Sequence, residues 1–168
     1  MNPDKLGVVA QQVLDAVVAG YAADSVPLPE RRYWCEGNLP AWDCEQVVVA
    51  VERMVPHNGD MTIEATRPVV EVLLQAVELS VWIVRCVPKL TPKGTPPKAE
   101  DIQAAAVPIL EDPPRIVNAL VAANKAGSIG GRRAMAVRQW QAVGPQGGLS
   151  GGRLLVRVDL TSAGAVGS

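Results

Sequence analysis

A run of valines in the first third of the chain most constrains the fold, because β-branched side chains at this density favour an extended backbone. The five residues of this run are Val47, Val48, Val49, Ala50 and Val51. Since both sides of such a strand are apolar for part of its length, both sides require covering by other parts of the protein. The run therefore predicts a central strand that ends near Pro56.

Further strands are predicted from alternating apolar and polar side chains. Residues 69–87 are nearly continuously apolar, and their second half alternates in the manner of a strand. Two shorter alternating runs, 136–143 and 154–160, predict a hairpin joined by a flexible, glycine-rich connection at 144–152. The turn residues after Pro56, His57-Asn58-Gly59-Asp60, predict a loop through about Pro68.

Helices are predicted at the beginning and in the second half of the chain. Apolar residues recur every three to four positions near the N-terminus, which predicts a helix over about 3–21. An alanine-rich run begins after Lys98, and the triplet Asp112-Pro113-Pro114 interrupts it. Because proline removes a backbone donor and clashes with the preceding turn, two consecutive helices are expected, one ending at Glu111 and one beginning near Pro114.

The segment 23–43 lies between the first helix and the valine run and is rich in proline and arginine. Pro27, Pro29 and Pro40 oppose both helix and regular strand pairing, so a connecting arm is expected. The chain has 168 residues, which suits one domain over 1–160, and the small uncharged residues 161–168 predict a disordered tail. The fold class is α+β, with a mixed or antiparallel sheet of about four strands and helices packed on one face.

Composition excludes several classes of protein. Glu71, Gln75, Glu78 and Arg85 interrupt the most apolar region, which opposes a membrane span there, and the N-terminus lacks the pattern of a signal peptide. An intracellular protein is therefore expected. Cys35, Cys44 and Cys86 show no disulfide-framework spacing, so buried reduced thiols are expected.

Charge is distributed unevenly along the chain. Residues 1–114 hold nine Lys or Arg against sixteen Asp or Glu, whereas residues 115–168 hold seven against one. The two parts therefore carry −7 and +6. Complementary charge of this kind suits contacts between neighbouring subunits or with nucleic acid, although charges far apart in sequence need not form separate faces.

Catalytic arrangements are weakly supported. The segment 148–152 matches Gly-x-Ser-x-Gly around Ser150, but a nucleophile elbow requires a helix after the serine and a histidine downstream, and His57 lies upstream. The cysteines with His57 supply enough ligands for zinc without the spacing of a zinc site. No enzyme activity, cofactor or metal is predicted. Four residues are candidates for subunit contacts: Arg132, Arg133, Arg138 and His57.

Four landmarks occur in a fixed order along most of residues 1–160. They are the N-terminal helix with its proline and arginine arm, AWDCEQVVV at 41–49, VRCVP at 84–88, and WQAVGPQGGL at 140–149 before a terminal strand. In this combination the chain resembles the tail terminator proteins of long-tailed phages that infect actinobacteria.

The resemblance implies a subunit of a homo-oligomeric ring, usually of six copies, on the end of a tail tube. Such a ring stops growth of the tube and contacts both the tail tube protein and a head-completion or stopper protein. DNA passes through its lumen without being read, and no membrane is involved. The expected location is the head–tail junction of the virion, assembled in the host cytoplasm.

Two other functions stay open at this stage. A head–tail stopper, or another minor connector or tail protein, shares the small size and the lack of chemistry. A small hydrolase with Ser150 or a cysteine as nucleophile and His57 as base belongs to a different class. The first is distinguished by position in the particle, the second by the geometry of its residues.

Overall fold

The computed structural model describes residues 4–37, 43–57, 74–130 and 135–160. Within these residues, two helices and five strands follow one another along the chain. Their bounds are α1 Asp4–Ala23, β1 Arg31–Glu36, β2 Gln46–His57, β3 Leu74–Cys86, α2 Ala99–Ala126, β4 Met135–Gln146 and β5 Leu149–Asp159.

The strands form one mixed sheet in the order β1-β2-β3-β5-β4. β1 runs parallel to β2, and the other three neighbouring pairs are antiparallel. The valine run lies in β2, where Val49 pairs with Trp34 on one side and Val81 on the other. The predicted α+β class is confirmed, with one strand more than the four expected.

The larger of two apolar clusters among the described residues lies between the sheet and both helices. Alternate residues of the inner strands face this core, including Val47 and Val49 of β2 and Leu79 and Val81 of β3. The helices contribute, among others, Val9, Val13, Val17, Ile116 and Leu120. Because the core-facing strand residues have the same alternation, the helices pack on one face of the sheet, as expected.

Helix α1 forms because apolar side chains recur on one face along its length. Val13, Val17 and Tyr21 are four residues apart and are fully buried. By length and composition α1 is also apolar enough to cross a membrane. In this fold the apolar face packs against the sheet, and 39% of the most apolar window is buried.

Helix α2 corrects the expectation of two consecutive helices. It is a single helix of 28 residues that contains Pro108, Pro113 and Pro114. Each proline lacks one helical hydrogen bond, which ordinarily breaks a helix. Here Asp112, directly before the proline pair, is buried and anchored to other elements, and Ile116 follows it into the core. Tertiary contacts therefore override the local preference.

Part of the segment expected to be a connecting arm is a strand. β1 has six residues and pairs in parallel register with β2 from Arg31 opposite Gln46 to Glu36 opposite Val51. The expectation that proline prevents ladder pairing fails here because the prolines flank these six residues and none lies among them. β1 is thereby an edge of the sheet.

The predicted hairpin near the C-terminus is present, with a shorter connection than expected. β4 and β5 extend until only Gly147 and Gly148 remain between them. Both glycines have positive φ, 60° and 89°, which a tight two-residue turn of this kind requires. The other glycines of the supposed flexible connection lie within the strands, so the segment is ordered.

Several predictions concern residues outside the described ranges. These are the landmark residue Trp42, the turn residues Asn58, Gly59 and Asp60, the apolar residues 69–73, the arginines Arg132 and Arg133, and the tail 161–168.

Candidate functional site

His57, one of the four predicted contact residues, is at the end of β2 and is only 2% exposed. Its Nε2 atom lies 3.7 Å from Oδ1 of Asp159 at the end of β5. The side chain therefore belongs to the interior of the sheet region. A subunit contact through His57 stays a prediction.

The geometry also separates His57 from Ser150. His57 pairs with Leu74 at the beginning of β3, whereas Ser150 pairs with Arg85 near its end. At about 3.3 Å per residue, these positions are roughly 36 Å apart. Ser150 lies in β5 and donates a hydrogen bond to the carbonyl oxygen of Val143, 3.3 Å away. The described residues thus do not assemble the serine hydrolase arrangement that the sequence left open.

Cys44 and Cys86 form a disulfide, which corrects the expectation of three buried, reduced thiols. The two residues are 42 positions apart in sequence, but the antiparallel pairing of β2 and β3 brings their Cα atoms to 5.0 Å. Cys86 is exposed. Cys35 is free and half-buried, and burial raises the pKa of its thiol. Neither oxidised cysteine can act as a thiolate nucleophile in this state.

Metal ligands are not clustered in the part of the chain that the structure describes. Among those residues, no group of three or more His, Cys, Asp or Glu side chains could hold a metal ion. His57 and the disulfide are at opposite ends of β2. The zinc arrangement considered from residue counts is therefore not assembled by these side chains.

A buried ionic cluster joins both helices to the sheet, and we call Tyr21, Arg85, Asp112 and Arg115 the Asp112 cluster. Asp112 of α2 accepts two hydrogen bonds from Arg85 of β3, at 3.0 Å from Nε and 2.9 Å from Nη2. The Tyr21 hydroxyl of α1 donates to the same carboxylate at 2.5 Å. Arg115 completes the set at 3.3 Å. One carboxylate therefore fixes three elements.

The arginines of the Asp112 cluster also pack on the aromatic ring of Tyr21. The guanidinium carbons of Arg85 and Arg115 lie 5.7 Å and 5.2 Å from the ring centre. Cations at this distance from an aromatic face are attracted by its quadrupole. Tyr21 is thus held through both its hydroxyl and its ring.

Glu45 links the Asp112 cluster to the disulfide. Its carboxylate accepts hydrogen bonds from Nη1 of Arg85 and from the backbone N–H of Cys86, both at 3.1 Å. Glu45 has a φ of 53°, in the left-handed region that non-glycine residues adopt infrequently. The residue before the valine strand is therefore held by polar contacts and by the neighbouring covalent bond.

Burial and charge shift the proton equilibria of the cluster. Burial of the Tyr21 phenol, together with the negative charge of Asp112, raises its pKa well above the ordinary value. Burial alone would lower the pKa of Arg85, but the hydrogen bonds and charge of Asp112 outweigh it and the net direction is upward. The phenol therefore stays neutral and the guanidinium charged at physiological pH, which makes this a structural cluster.

A second ionic group lies on the other face of the sheet. Glu78 of β3 accepts hydrogen bonds from Arg53 at 2.9 Å and from Arg157 at 2.7 Å. Nearby, Arg153 donates to Glu52 at 3.2 Å and stacks over the ring of Trp82 at 5.5 Å. These contacts connect β2, β3 and β5 on the face of the sheet opposite the helices.

Ion pairs within the molecule partly neutralise the charge asymmetry of the sequence. Arg115, Arg153 and Arg157 belong to the basic part of the chain, and each pairs with carboxylates of the acidic part. Of the five basic residues after residue 114 that the structure describes, these three are therefore used in intramolecular ion pairs. The asymmetry reflects contacts within one subunit to that extent, so it is weaker evidence for contacts between subunits.

The three arginines predicted to contact a neighbouring subunit are only partly placed. Arg138 is exposed on the edge strand β4, at a shift in the pairing register between Val137 and Trp140. Arg132 and Arg133 lie outside the described residues. The structure therefore places one of the three on an accessible surface and leaves their joint role a prediction.

An apolar groove lies between the first half of α2 and the β4–β5 turn, and we call it the α2–hairpin groove. Its volume is about 710 Å³. Val87, Leu90, Ile102, Ile109 and Pro145 are among its lining residues. Among the described residues that line it, Lys89 is the only charged one. No residue from 99 to 111 is buried, and Leu110 beside the groove is 73% exposed.

A second apolar surface lies at the opposite edge of the sheet, and we call it the Trp34 patch. Val8 of α1 is 55% exposed and Trp34 of β1 is 43% exposed. Leu6, Gln11 and Val51 line the same depression, and Glu36 is the only charged side chain among its described lining residues. The indole ring of Trp34 lies over Gly7, where an added Cβ would stand only 3.2 Å from the ring.

Sequence reasoning missed the Asp112 cluster and both apolar surfaces. The isolated Arg85 in a predicted buried strand was a usable signal, because a buried cation requires a carboxylate partner. The apolar residues of 99–111 carried no such signal, since an amphipathic helix is normally assumed to bury them. Neither a protein-family model nor a curated protein sequence matches this chain.

Proposed function

We propose that this protein is a structural subunit of a ring that terminates the tail tube of a long-tailed phage and joins the tail to the head connector. The proposal combines the sequence resemblance with the shape of the folded subunit. The landmark segments 84–88 and 140–149 lie at the end of β3 and around the β4–β5 turn, so they meet at one end of the sheet.

The exposed apolar surface of α2 is the observation that carries the proposal. Ile102, Val107 and Leu110 are each more than half exposed along about 12 Å of α2, and Leu90, before the helix, is 61% exposed. Large exposed apolar side chains that lie together on a surface mark sites of protein association, and Leu90 and Ile102 line one groove. Such an exposed surface is expected for a subunit whose α2 is covered by other proteins only after assembly.

The fold agrees with what the resemblance implies. A mixed α+β sheet with helices on one face was expected for a tail terminator subunit, and this chain has that architecture. The fold by itself does not specify a function, because one architecture serves many. The fold supports the proposal only in that it agrees with the α+β architecture that the resemblance implies.

Electron microscopy of particles produced with and without this protein tests the function. Without it, tails should overgrow and stay separate from heads, because nothing stops addition of tube subunits. Normal-length tails beside unjoined heads would instead indicate a head–tail stopper. Normal, joined particles would overturn both assignments.

A variant series connects the function to the exposed surface. Leu110→Ser should fail to restore joined tails of normal length when supplied in place of the native protein, whereas Val121→Ser should restore them. Both residues are exposed apolar positions of α2, but Val121 lies in the second half of the helix, outside the groove region. Equal restoration by both variants would remove the exposed first half of α2 as the support for this function.

A further inference from the structure

We infer that the α2–hairpin groove of one subunit receives the Trp34 patch of a second copy of this chain. This inference rests on the proposed ring function and specifies the contact between neighbouring subunits of the ring. The two surfaces are on different parts of the molecule and share no residue. One borders the edge strand β1, and the other lies beside the β4–β5 turn. Two different complementary surfaces on each subunit produce a head-to-tail contact, which closes into a ring when the rotation permits.

Charge complementarity selects the second copy as the occupant. Each surface is mainly apolar, and its described lining residues include one charged side chain, Lys89 in the groove and Glu36 in the patch. Docking one on the other places opposite charges at the border of an apolar contact. Such pairs fix the register of an interface and oppose wrong partners.

The residue types of the two surfaces agree with this contact. Trp34 is a large, partly exposed aromatic side chain, and burying such a side chain in a pocket supplies much of the energy of typical interfaces. The groove offers aliphatic and proline side chains around a volume of about 710 Å³. Val8 lies beside Trp34 and extends the apolar contact.

Pairing of sheet edges between subunits is a less suitable contact for this fold. β1 has only six residues, and β4 contains Pro145 and two shifts of register. Short strands, bulges and proline are features that oppose addition of another strand. Contact through side-chain surfaces is therefore favoured over extension of the sheet.

Charge reversal at the two positions tests the contact. Sedimentation velocity at low ionic strength should show assembly of the native chain, whereas Glu36→Lys and Lys89→Glu should each raise the concentration required for assembly about tenfold or more. Each variant alone places like charges together. Both residues are exposed or at a border, so far-UV circular dichroism should show unchanged folding.

Mixing the variants gives the decisive result. In an equimolar mixture of Glu36→Lys and Lys89→Glu, every contact in an alternating ring joins opposite charges, so assembly should return to within about threefold of the native chain. The double variant on one chain should also be restored. Lys125→Glu, at the other end of α2, is the matched control and should assemble like the native chain.

The possible failures have different meanings. Native assembly that is unaffected by either single reversal would overturn this contact and leave the ring function standing. Weakened single variants that mixing does not restore would overturn it as well, because the two charges would then not face each other. A native chain that stays monomeric at every concentration would overturn the ring function together with the contact.

Discussion

Asp112 illustrates how much of this fold depends on a single side chain. Its carboxylate is 1% exposed and receives hydrogen bonds from Tyr21, Arg85 and Arg115. Removing one member of a buried ion pair leaves an uncompensated charge, which is far more destabilising than loss of an exposed pair. The energetic role of Asp112 is therefore to keep Arg85 paired inside the protein.

Asp112→Asn should lower the free energy of unfolding by about 3–5 kcal/mol, because the amide retains the shape but not the charge that Arg85 requires. Urea unfolding followed by tryptophan fluorescence measures the loss. Asp24→Asn is the matched control, since Asp24 pairs with Arg115 from an exposed position and should lose no more than about 1 kcal/mol. Similar small losses for both variants would contradict the role assigned to Asp112.

Glu78 gives the protein a specific sensitivity to acid. Burial would raise the pKa of its carboxyl, but the hydrogen bonds and charges of Arg53 and Arg157 hold that pKa below the ordinary value of 4.5. The unfolded chain therefore takes up the proton first, so the stabilisation is present above about pH 4.5 and is lost as the pH falls below it.

Glu78→Gln should flatten the decrease in stability between about pH 4.5 and pH 3, since the substituted side chain does not titrate. Urea midpoints measured across that range give the slope. Glu100→Gln, in the exposed first turn of α2, should leave the slope close to that of the native chain. An unchanged slope in Glu78→Gln would mean that other carboxylates determine the acid limb.

At the scale of elements, the pairing of β5 with β3 depends on close backbone approach. Gly151 pairs with Val84, and a Cβ at this position would overlap the carbonyl oxygen of Ile83. Backbone atoms cannot move aside as a flexible side chain does. The glycines after the β4–β5 turn are therefore structural parts of the strand and not a flexible connection.

Gly151→Ala should destabilise the protein by about 1–3 kcal/mol or more, because β5 must shift away from β3. Thermal unfolding followed by circular dichroism measures the effect. Gly144→Ala in β4 is the control, because nothing lies within 4 Å of its added Cβ and its backbone is not in the left-handed region. Equal stability of the two variants would show that the strands approach less closely than described.

Elements also show where local preference loses to packing. The proline pair after Asp112 predicts a break, yet α2 continues because Asp112 is anchored on one side of the pair and Ile116 and Leu120 are buried on the other. Burial of such side chains stabilises by about 1.5–3 kcal/mol each, which is comparable to the penalty of a proline within a helix. Whether burial outweighs the proline penalty can be judged only when the residues that pack against α2 are known.

At the scale of the whole molecule, the Cys44–Cys86 disulfide closes a long loop that contains β2 and most of β3. The sequence separation is 42 residues, for which the chain-entropy relation gives roughly 4 kcal/mol of stabilisation. The bond lies beside Glu45 and the Asp112 cluster, so it joins the covalent and ionic supports of one end of the sheet.

Reduction with dithiothreitol should therefore lower the free energy of unfolding by about 2–4 kcal/mol. Urea unfolding with and without reductant measures the difference, and mass spectrometry after alkylation counts the thiols released. Cys35→Ser should lose stability on reduction to the same extent as the native chain, since Cys35 is not in the bond. No loss on reduction would show that the bond does not support the folded state.

Three elements were predictable from local patterns in the sequence: α1 from its recurring apolar face, β2 from its valines, and the C-terminal hairpin from its alternation. These elements can be predicted because the period of a helix or a strand appears in the order of neighbouring apolar and polar residues. The α+β class was also predictable, since that class depends on which elements occur and in what order.

Contacts between residues far apart in sequence could be identified only in the folded protein. The pairing of Cys44 with Cys86, the union of Tyr21, Arg85 and Asp112, and the distance between His57 and Ser150 all depend on strand register and helix placement. The same is true of the exposure of α2, because an apolar helix face is buried or uncovered according to what packs against it. Such contacts produce no periodic pattern in neighbouring residues, and for that reason local sequence patterns do not predict them.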